Sequence, residues 1–357
     1  MKAQTSSTVM IPAAAKPNPD EAPIFVVGVP RSGTTLLRAM LNAHRRIYLT
    51  HEASFYLKSF FQKRVAGAPW LESYIHSYAF SWLRLSSREI REQFREPIPR
   101  ERLPDVYRAI MRTKAGQHAK PRYGDKTPMH VSCLARIFED FPDARIIHIV
   151  RDPRATIASL MRMPWSSGSY LLCNEFYKGL LRNAQPFEDR IHQLRLEDLI
   201  ERPRTEMETL LDFVDEEWDE AVLQHPTAAP ANDLPPFPWH EHASRGIRLA
   251  EAATSGELPD AWVRYVEFQN QLASRKYGYE PLPLAREPSL IQIVMAVLED
   301  VPGAARALWR ASQCFRKLAR PHPPEPKEAQ RLIFGLNPNA WRHYPHCEIP
   351  DPPSLDG

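Results

Sequence analysis

The feature that most constrains the fold is a segment near the start of the chain, in which a strand passes through a glycine-containing turn into a helix. Residues Ile24–Val29 (IFVVGV) form a continuous, β-branched apolar run, which is typical of strands buried on both faces in a parallel sheet. In Thr34–His44, after the turn, apolar side chains recur at helical spacing. Strand, turn and helix in this order predict the opening of a βαβ unit.

Further strand-like runs alternate with helical patterns along the chain. They lie at Arg46–Thr50 (RIYLT), at 122–125, at Arg145–Val150 (RIIHIV) and at Ile191–Leu196. After RIIHIV, Asp152 has the character of a helix N-cap and Pro153 occupies the first helical position. This alternation predicts an α/β fold with a mostly parallel central sheet.

Charge, cysteine content and hydropathy exclude several classes of protein. Lys and Arg total 46 against 43 Asp and Glu, a net charge of +3 that argues against bulk attraction to nucleic acid. The four cysteines contain no CxxC pair, which favours a reducing, cytoplasmic protein without a disulfide framework. No secretory signal is evident, and the longest apolar run, Leu290–Leu298, is about half a membrane span. We therefore expect a soluble, cytoplasmic protein.

Composition also divides the chain. The prediction is a flexible tail over 1–23 followed by a main domain over 24–285. Within the main domain we expect a helical, acceptor-side region at 54–120 and a proline-rich connection at 226–238. A helical extension of two helices over 286–320 and a proline-rich tail over 321–357 follow it. The aromatic side chains of 54–120 favour ordinary helix packing over a role in lining a ligand site. Residues 304–320 combine basic and apolar residues, which is compatible with weak contact to a membrane surface or with binding of an acidic partner. We favour a third interpretation, in which a solvated charged face covers a packed stripe containing Leu308 and Phe315.

The turn after the first strand, GVPRSGTT from Gly28 to Thr35, has the character of a phosphate-binding loop. A turn at a helix N-terminus presents backbone N–H groups and a partial positive charge to an anion, and Gly33 allows a close approach. The hydroxyls of Ser32, Thr34 and Thr35 can add hydrogen bonds. A Walker A loop would need lysine after Gly33, where this chain has Thr34, so Arg31 is the nearby cation instead.

The stretch PIFVVGVPRSGTT resembles the 5′-phosphosulfate loop of the sulfotransferase superfamily, and VRDPRATIAS, with Arg151 and Ser159, resembles its 3′-phosphate site. The resemblance covers residues 24–285 and is closest to the branch of the tyrosylprotein sulfotransferases and their bacterial relatives. Supporting stretches are YGDKTP at 123–128, LEDLIERPRTEMETLLDFV at 196–214 and YGY at 277–279. It implies a P-loop-type, three-layer α/β fold with a mostly parallel sheet, a helical substrate cap and a C-terminal helical extension.

The same resemblance implies 3′-phosphoadenosine 5′-phosphosulfate (PAPS) as donor, adenosine 3′,5′-bisphosphate as product and no required metal. The residues that match the donor-binding motifs are Arg31, Ser32, Gly33, Thr34, Thr35, Arg151 and Ser159. Glu52 matches the general base of the tyrosylprotein branch, with His51 as the competing base. Lys126 matches a lysine that contacts the transferring sulfuryl group beside Arg31, and we expect Asp125 to orient this lysine or its loop.

Chain topology supports this grouping without the family. If the strands are parallel neighbours, Arg31, Glu52, Lys126 and Arg151 all follow strand ends at one edge of the sheet, where ligands bind in open α/β folds. Two other functions stay open: an ATP- and Mg²⁺-dependent phosphotransferase, and a non-catalytic nucleotide-binding protein. The acceptor stays open between a small molecule, a glycan, a lipid and peptidyl tyrosine. The histidine-containing stretches at 240–242 and 343–347 lack zinc-site spacing.

Overall fold

A parallel sheet of five strands organises the protein. The computed structural model describes residues 19–57, 70–95, 97–224, 235, 237–239, 258–318, 325–344 and 350–353. The strands are β1 (Ile24–Gly28), β2 (Ile47–His51), β3 (Arg122–Lys126), β4 (Arg145–Val150) and β5 (Ile191–Arg195). Their order is β2-β3-β1-β4-β5, and each of the four pairings is parallel. The predicted α/β fold with a parallel central sheet is confirmed.

Helices connect and cover the strands. In chain order they are α1 (Thr34–Ala43), α2 (Trp70–Ile75), α3 (Tyr78–Ser81), α4 (Ser87–Gln93), α5 (Leu103–Gly116), α6 (Leu134–Asp140), α7 (Pro153–Met161), α8 (Tyr170–Ala184), α9 (Leu196–Glu201), α10 (Pro203–Phe213), α11 (Asp260–Gln269), α12 (Gln271–Tyr277), α13 (Leu290–Leu318) and α14 (Pro326–Phe334). Short 3₁₀ helices lie at Pro19–Glu21, Arg100–Arg102, Pro128–Cys133, Gln185–Arg190, Glu220–Gln224 and Pro338–His343.

Alternate residues of each strand serve opposite faces of the sheet, which gives three layers. On β1, Ile24 and Val26 pack with α1, α9 and α10, while Phe25 and Val27 pack with the helices of the other face. All four side chains are fully buried. Because both faces are covered, the strands need apolar residues at consecutive positions, which explains the uninterrupted IFVV run.

The C-terminal extension differs from its prediction. Residues Leu290–Leu318 form one 29-residue helix with Pro302 inside it, where we expected two helices. The packed stripe expected through Leu308 and Phe315 is wrong, because these side chains are 58% and 43% exposed. The helix instead buries the smaller Ala307 and Cys314, seven positions apart on one face. Weak membrane-surface contact through 304–320 stays a prediction, and no helix among the described residues is long and apolar enough to span a membrane.

Part of the proline-rich region beyond residue 320 is folded. There α14 and the 3₁₀ helix Pro338–His343 form, whereas composition alone indicated a tail. Pro326 occupies the first turn of α14, where a missing N–H costs nothing, so proline here begins a helix. Most of the predicted N-terminal tail, most of the proline-rich connection and the histidines at 240–242 lie outside the described residues.

Buried histidine in the sheet gives this fold a specific acid sensitivity. His148 of β4 is fully buried, and neither ring nitrogen has a hydrogen-bond partner among the described residues. Burial, assisted by Lys276, lowers the pKa of His148 to about 4. The unfolded chain therefore binds this proton at a higher pH than the native state, so stability is lost as the pH falls below about 6.5.

We predict that His148→Leu removes this loss. Between pH 8 and pH 5 the wild type should lose about 2 kcal/mol more unfolding free energy than the variant, because only the wild type must keep the imidazole neutral. Urea unfolding across this pH range measures the difference. Ile149→Val on the same strand is the control and should keep the wild-type pH dependence. Equal pH dependence in His148→Leu and wild type would contradict the assignment.

Candidate active site

The strand order brings four charged residues to one edge of the sheet. The register pairs His51 with Lys126 at the ends of β2 and β3, and Gly28 with Ile149 at the ends of β1 and β4. Arg31, Glu52, Lys126 and Arg151 therefore leave the carboxyl ends of four adjacent strands. This edge, beside the strand at which the chain order changes direction, is where open α/β sheets bind ligands.

Two glycines shape the loop after β1. Gly28 has a φ of 152° and Gly33 a φ of 96°. A Cβ on Gly28 would lie 2.3 Å from the carbonyl oxygen of Ile149, and one on Gly33 would lie 2.5 Å from Cδ1 of Leu196. Both positions therefore require glycine on conformational and packing grounds. The loop is fixed closely against β4 and α9.

The hydroxyls of the loop have different tasks. The Ser32 hydroxyl is buried and donates to the carbonyl oxygen of Val29 at 2.7 Å or to that of Ile149 at 3.1 Å, so it ties the loop to β4. Thr34 begins α1 and is buried, whereas Thr35 lines an adjoining cavity. The first N–H groups of a helix have no intrahelical acceptor and carry partial positive charge. The start of α1 is thus suited to bind an anion.

A group of guanidiniums lies beside this helix start. Arg31 Nε donates to Ser159 Oγ at 3.0 Å, and Arg151 Nη1 donates to the carbonyl oxygen of Arg31 at 3.0 Å. Burial lowers the pKa of Arg31 to about 10, and the guanidiniums of Arg151 and Arg162 act in the same direction. Burial also lowers the pKa of Arg151. Positive groups held close together out of water gain from a bound anion, which relieves their mutual repulsion.

Glu52 and Lys126 form an ion pair at the end of the neighbouring strands. Lys126 Nζ donates to Glu52 Oε1 at 2.7 Å, and the backbone N–H of Glu52 donates to the carbonyl oxygen of Lys126 at 2.8 Å. The Lys126 side chain is fully buried, while the Glu52 side chain is 46% exposed. Burial lowers the pKa of Lys126, and Glu52 opposes that shift. A carboxylate is thereby presented at the surface of the cavity next to a buried ammonium.

The buried carboxyl group of Asp125 contacts residues that follow Glu52 and Lys126 in the chain. Asp125 Oδ1 accepts the Thr127 hydroxyl at 2.9 Å and the Ala53 N–H at 3.3 Å. His130 Nε2 accepts the Tyr56 N–H at 3.3 Å, which leaves the ring proton on Nδ1, 3.3 Å from Asp125 Oδ2. Burial raises the pKa of Asp125 to about 7. Asp125 thus holds the Ala53 backbone and the Thr127 hydroxyl, next in the chain to the two residues of the ion pair, and its orienting role stays a prediction.

A cavity of about 300 Å³ opens beside these groups. Its described lining comprises Pro30, Arg31, Thr35, His51, Glu52, Ser54, Leu57, Tyr78, Ala79, Trp82, Thr127, Pro128, Met129, Trp165, Pro235, Phe237, Trp239, Ile333 and Phe334. His51 lies in this wall, with Nε2 4.0 Å from Glu52 Oε1. Both candidate bases therefore face the same space, and Glu52 is paired with Lys126.

The structure brings the candidate donor-binding and catalytic residues predicted from the sequence to this edge. They lie there either directly or through the loop after β1. Sequence reasoning missed Arg162, at the end of α7, and the pair Thr127 and His130 behind Asp125. Thr127 stood within the YGDKTP stretch, so its signal was present, whereas nothing in the sequence marked His130. It also missed Phe334, which comes from a region without a recognisable pattern.

Comparisons with known proteins identify the family of this chain. A family model described as "Sulfotransferase family" matches residues 23–220, over half of the chain. A protein-tyrosine sulfotransferase of Drosophila melanogaster is 30% identical over 212 residues, covering 57% of this chain and 40% of the relative. Protein-tyrosine sulfotransferase 1 of Danio rerio is 28% identical over 219 residues, covering 58% and 57%. The chain spans about half the length of the curated relatives it matches.

Solved structures show the same fold. The sulfotransferase domain of the Synechococcus PCC 7002 olefin synthase superposes with a TM-score of 0.55 at 24% identity, covering 73% of this chain and 96% of that domain. The sulfotransferase domain of the curacin biosynthetic pathway gives 0.53 at 20% identity, covering 73% and 99%. The chain belongs to the sulfotransferase family, and the resemblance stated from its motifs is confirmed.

The contacts of Asp125 lead to a stability prediction. Thr127→Val removes a hydroxyl that donates to Asp125 and accepts the Ser54 N–H at 3.1 Å. We expect a loss of about 1–3 kcal/mol in unfolding free energy, because the buried Asp125 loses one donor and the half-buried Ser54 N–H loses its acceptor. Urea unfolding provides the measurement.

Thr156→Val is a matched control for that change. Thr156 is also buried, but its hydroxyl has no hydrogen-bond partner among the described residues. The same isosteric replacement should therefore leave stability unchanged or raise it. Equal losses in the two variants would show that the Asp125 contacts do not stabilise the site.

Proposed function

We propose that this protein transfers a sulfuryl group from PAPS to a hydroxyl acceptor by in-line displacement, with Glu52 as general base. The observation that carries the proposal is that two groups lie together at one sheet edge: the start of α1 with the guanidiniums of Arg31 and Arg151, and the Glu52–Lys126 pair. The family membership supports sulfate transfer, while the donor, the acceptor class and the roles of the residues are our proposal.

The residues at the loop fit the donor. Gly33, where a Cβ would strike Leu196, and the start of α1 suit the 5′-phosphosulfate, with Arg31 and Thr35 beside it. Arg151, buried and held to the loop backbone, together with Ser159, suits the 3′-phosphate. When bound, the donor supplies a sulfuryl group joined by an anhydride to phosphate, so that an acceptor oxygen can form a new S–O bond as the old one breaks.

Glu52 has the position required of the base. Its carboxylate faces the cavity in which an acceptor would lie, and the Lys126 ammonium lies 2.7 Å from Glu52 Oε1. Glu52 would accept the proton of the acceptor hydroxyl. Lys126 and Arg31 would hold the negative charge that develops during transfer, and such preorganised charges act most strongly where water is excluded.

The competing phosphotransferase function receives less support from this loop. The P-loop lysine that reaches the terminal phosphates of a nucleoside triphosphate is replaced by Thr34. Lys126, which comes from a different strand, faces Glu52 instead. We therefore place sulfuryl transfer ahead of ATP- and Mg²⁺-dependent transfer.

The proposal is tested by replacing the two candidate bases. Glu52→Gln keeps the size of the side chain and an acceptor for Lys126 but removes the basic carboxylate, so kcat should fall by about 10²–10⁴-fold. His51→Asn is the matched control, and its kcat should stay within about tenfold of wild type. The measurement is formation of adenosine 3′,5′-bisphosphate from PAPS with a panel of phenols, alkyl alcohols, sugars and a tyrosine peptide.

Two outcomes would count against the proposal. Loss of activity in His51→Asn with retention in Glu52→Gln would transfer the role of base to His51. Wild-type protein that leaves PAPS intact with the whole panel, while transferring phosphate from ATP with Mg²⁺, would replace the sulfotransferase by a phosphotransferase.

A further inference from the structure

Part of the wall of the cavity is built by residues outside the segment that matches the family. The family match ends at residue 220, whereas Phe237, Trp239, Ile333 and Phe334 line the cavity. The groups assigned to donor binding and proton transfer all lie inside the matched segment. These four lining residues therefore lie beyond the part of the chain that the family model describes.

These residues form one aromatic cluster with α3. The Phe334 ring lies 5.3 Å from the ring of Phe237, 5.2 Å from that of Trp239 and 6.2 Å from that of Tyr78, each at an interplanar angle above 80°. Phe237 also packs edge-on against Trp82 at 5.4 Å. Edge-to-face contacts at such distances are favourable between aromatic rings. The cluster gives the cavity a continuous apolar wall.

The C-terminal part of this wall is anchored to the main domain by Asn337. Its side-chain Nδ2 donates to the carbonyl oxygens of Met161 at 2.9 Å and Met163 at 3.1 Å. Its backbone N–H donates to the carbonyl oxygen of Pro164 at 2.8 Å. A Cβ on Gly168 would lie 2.5 Å from Asn337 Oδ1, so the two segments are closely packed. The position of Phe334 is thus fixed by the same loop, after α7, that adjoins the donor side.

Few of the described lining residues carry a charge. Among the described lining residues, the ionic side chains are Arg31 and Glu52, which both belong to the reaction centre, with His51 next to them. The other described lining residues are aromatic or aliphatic, apart from the hydroxyl-bearing Thr35, Ser54, Tyr78 and Thr127. The cavity volume of about 300 Å³ lies at the lower end of the range for small-molecule sites.

We propose that the acceptor is a compact, uncharged alcohol or phenol with an apolar body. Its hydroxyl lies beside Glu52 and its body packs against Phe334, Trp239 and Trp82. This assignment rests on the proposed sulfotransferase function and deepens it. An acidic tyrosine peptide or a sugar would place amides, carboxylates or hydroxyls against this wall, and burying such groups without hydrogen bonds is costly. Phe334 is then a specificity-determining residue.

The test compares three acceptors and two positions on one helix. The acceptors are 2-naphthol, glucose and an acidic tyrosine-containing peptide, each assayed with PAPS. We expect 2-naphthol to have the highest kcat/KM. Phe334→Ala should raise KM for 2-naphthol by at least about tenfold with a smaller change in kcat, because it removes apolar contact to the body of the acceptor.

Leu332→Ala is the matched control, since Leu332 lies on α14 beside Phe334 but is not among the described lining residues. Its KM should stay within about twofold of wild type. Phe334→Leu keeps apolar bulk at the wall and should recover most of the affinity, which separates a binding role from failure of Phe334→Ala to fold. Melting temperatures of all three variants are measured alongside.

The outcomes distinguish this inference from the function on which it rests. A kcat/KM for the peptide or for glucose above that for 2-naphthol overturns the acceptor class but leaves sulfuryl transfer standing. Equal KM changes in Phe334→Ala and Leu332→Ala overturn the role of Phe334. Absence of acceptor-dependent donor consumption with all three acceptors overturns both proposals.

Discussion

The placement of buried positive charge at one edge of the sheet is the constraint on which the site depends. Lys126 is fully buried at the end of β3, and Arg151 is nearly so just beyond β4. Desolvating such groups is costly unless a negative group or a set of acceptors compensates. Glu52 compensates Lys126, and the carbonyl oxygen of Arg31 accepts from Arg151. The glycine loop, the buried Asp125 and the strand register all serve to keep these groups together. A bound anionic donor would compensate the remaining positive charge. The free energy of ligand binding and the stability of the site would then have the same electrostatic origin.

The parallel sheet and the residues at its edge could be predicted because their causes are local. Apolar runs such as RIIHIV mark strands buried on both faces, and the N-cap Asp152 with Pro153 marks the helix that follows. Neighbouring parallel strands have their carboxyl ends at the same edge of the sheet. This rule predicted from the sequence that Arg31, Glu52, Lys126 and Arg151 lie close together. The orienting role of Asp125 agrees with its hydrogen bonds to Thr127 and to the backbone of Ala53.

The rest depends on contacts between distant segments, which no local pattern records. Phe334 packs on Phe237, which packs on Trp82, and these residues are far apart in the chain. The proline-rich composition around α14 also concealed a folded element. The rotation of α13 about its axis, which buries Ala307 rather than Leu308, is decided by the surface it packs on. Motifs thus predicted the residues proposed to bind the donor, whereas the part of the cavity wall formed by Phe237, Trp239 and Phe334 was not predicted.

The central claim, that this edge binds a nucleotide with two separate phosphate groups, is tested most directly by calorimetric titration. Adenosine 3′,5′-bisphosphate without metal is compared with ATP and Mg²⁺, for wild type, for Arg151→Ala and for Arg204→Ala, an exposed arginine of α10 that pairs with Glu220. We predict metal-independent binding of the bisphosphate that weakens at least about tenfold in Arg151→Ala and is unchanged in Arg204→Ala, because a guanidinium bound to phosphate contributes a strong charge-assisted contact. Tight binding of ATP with Mg²⁺ and no response to the bisphosphate would contradict the account.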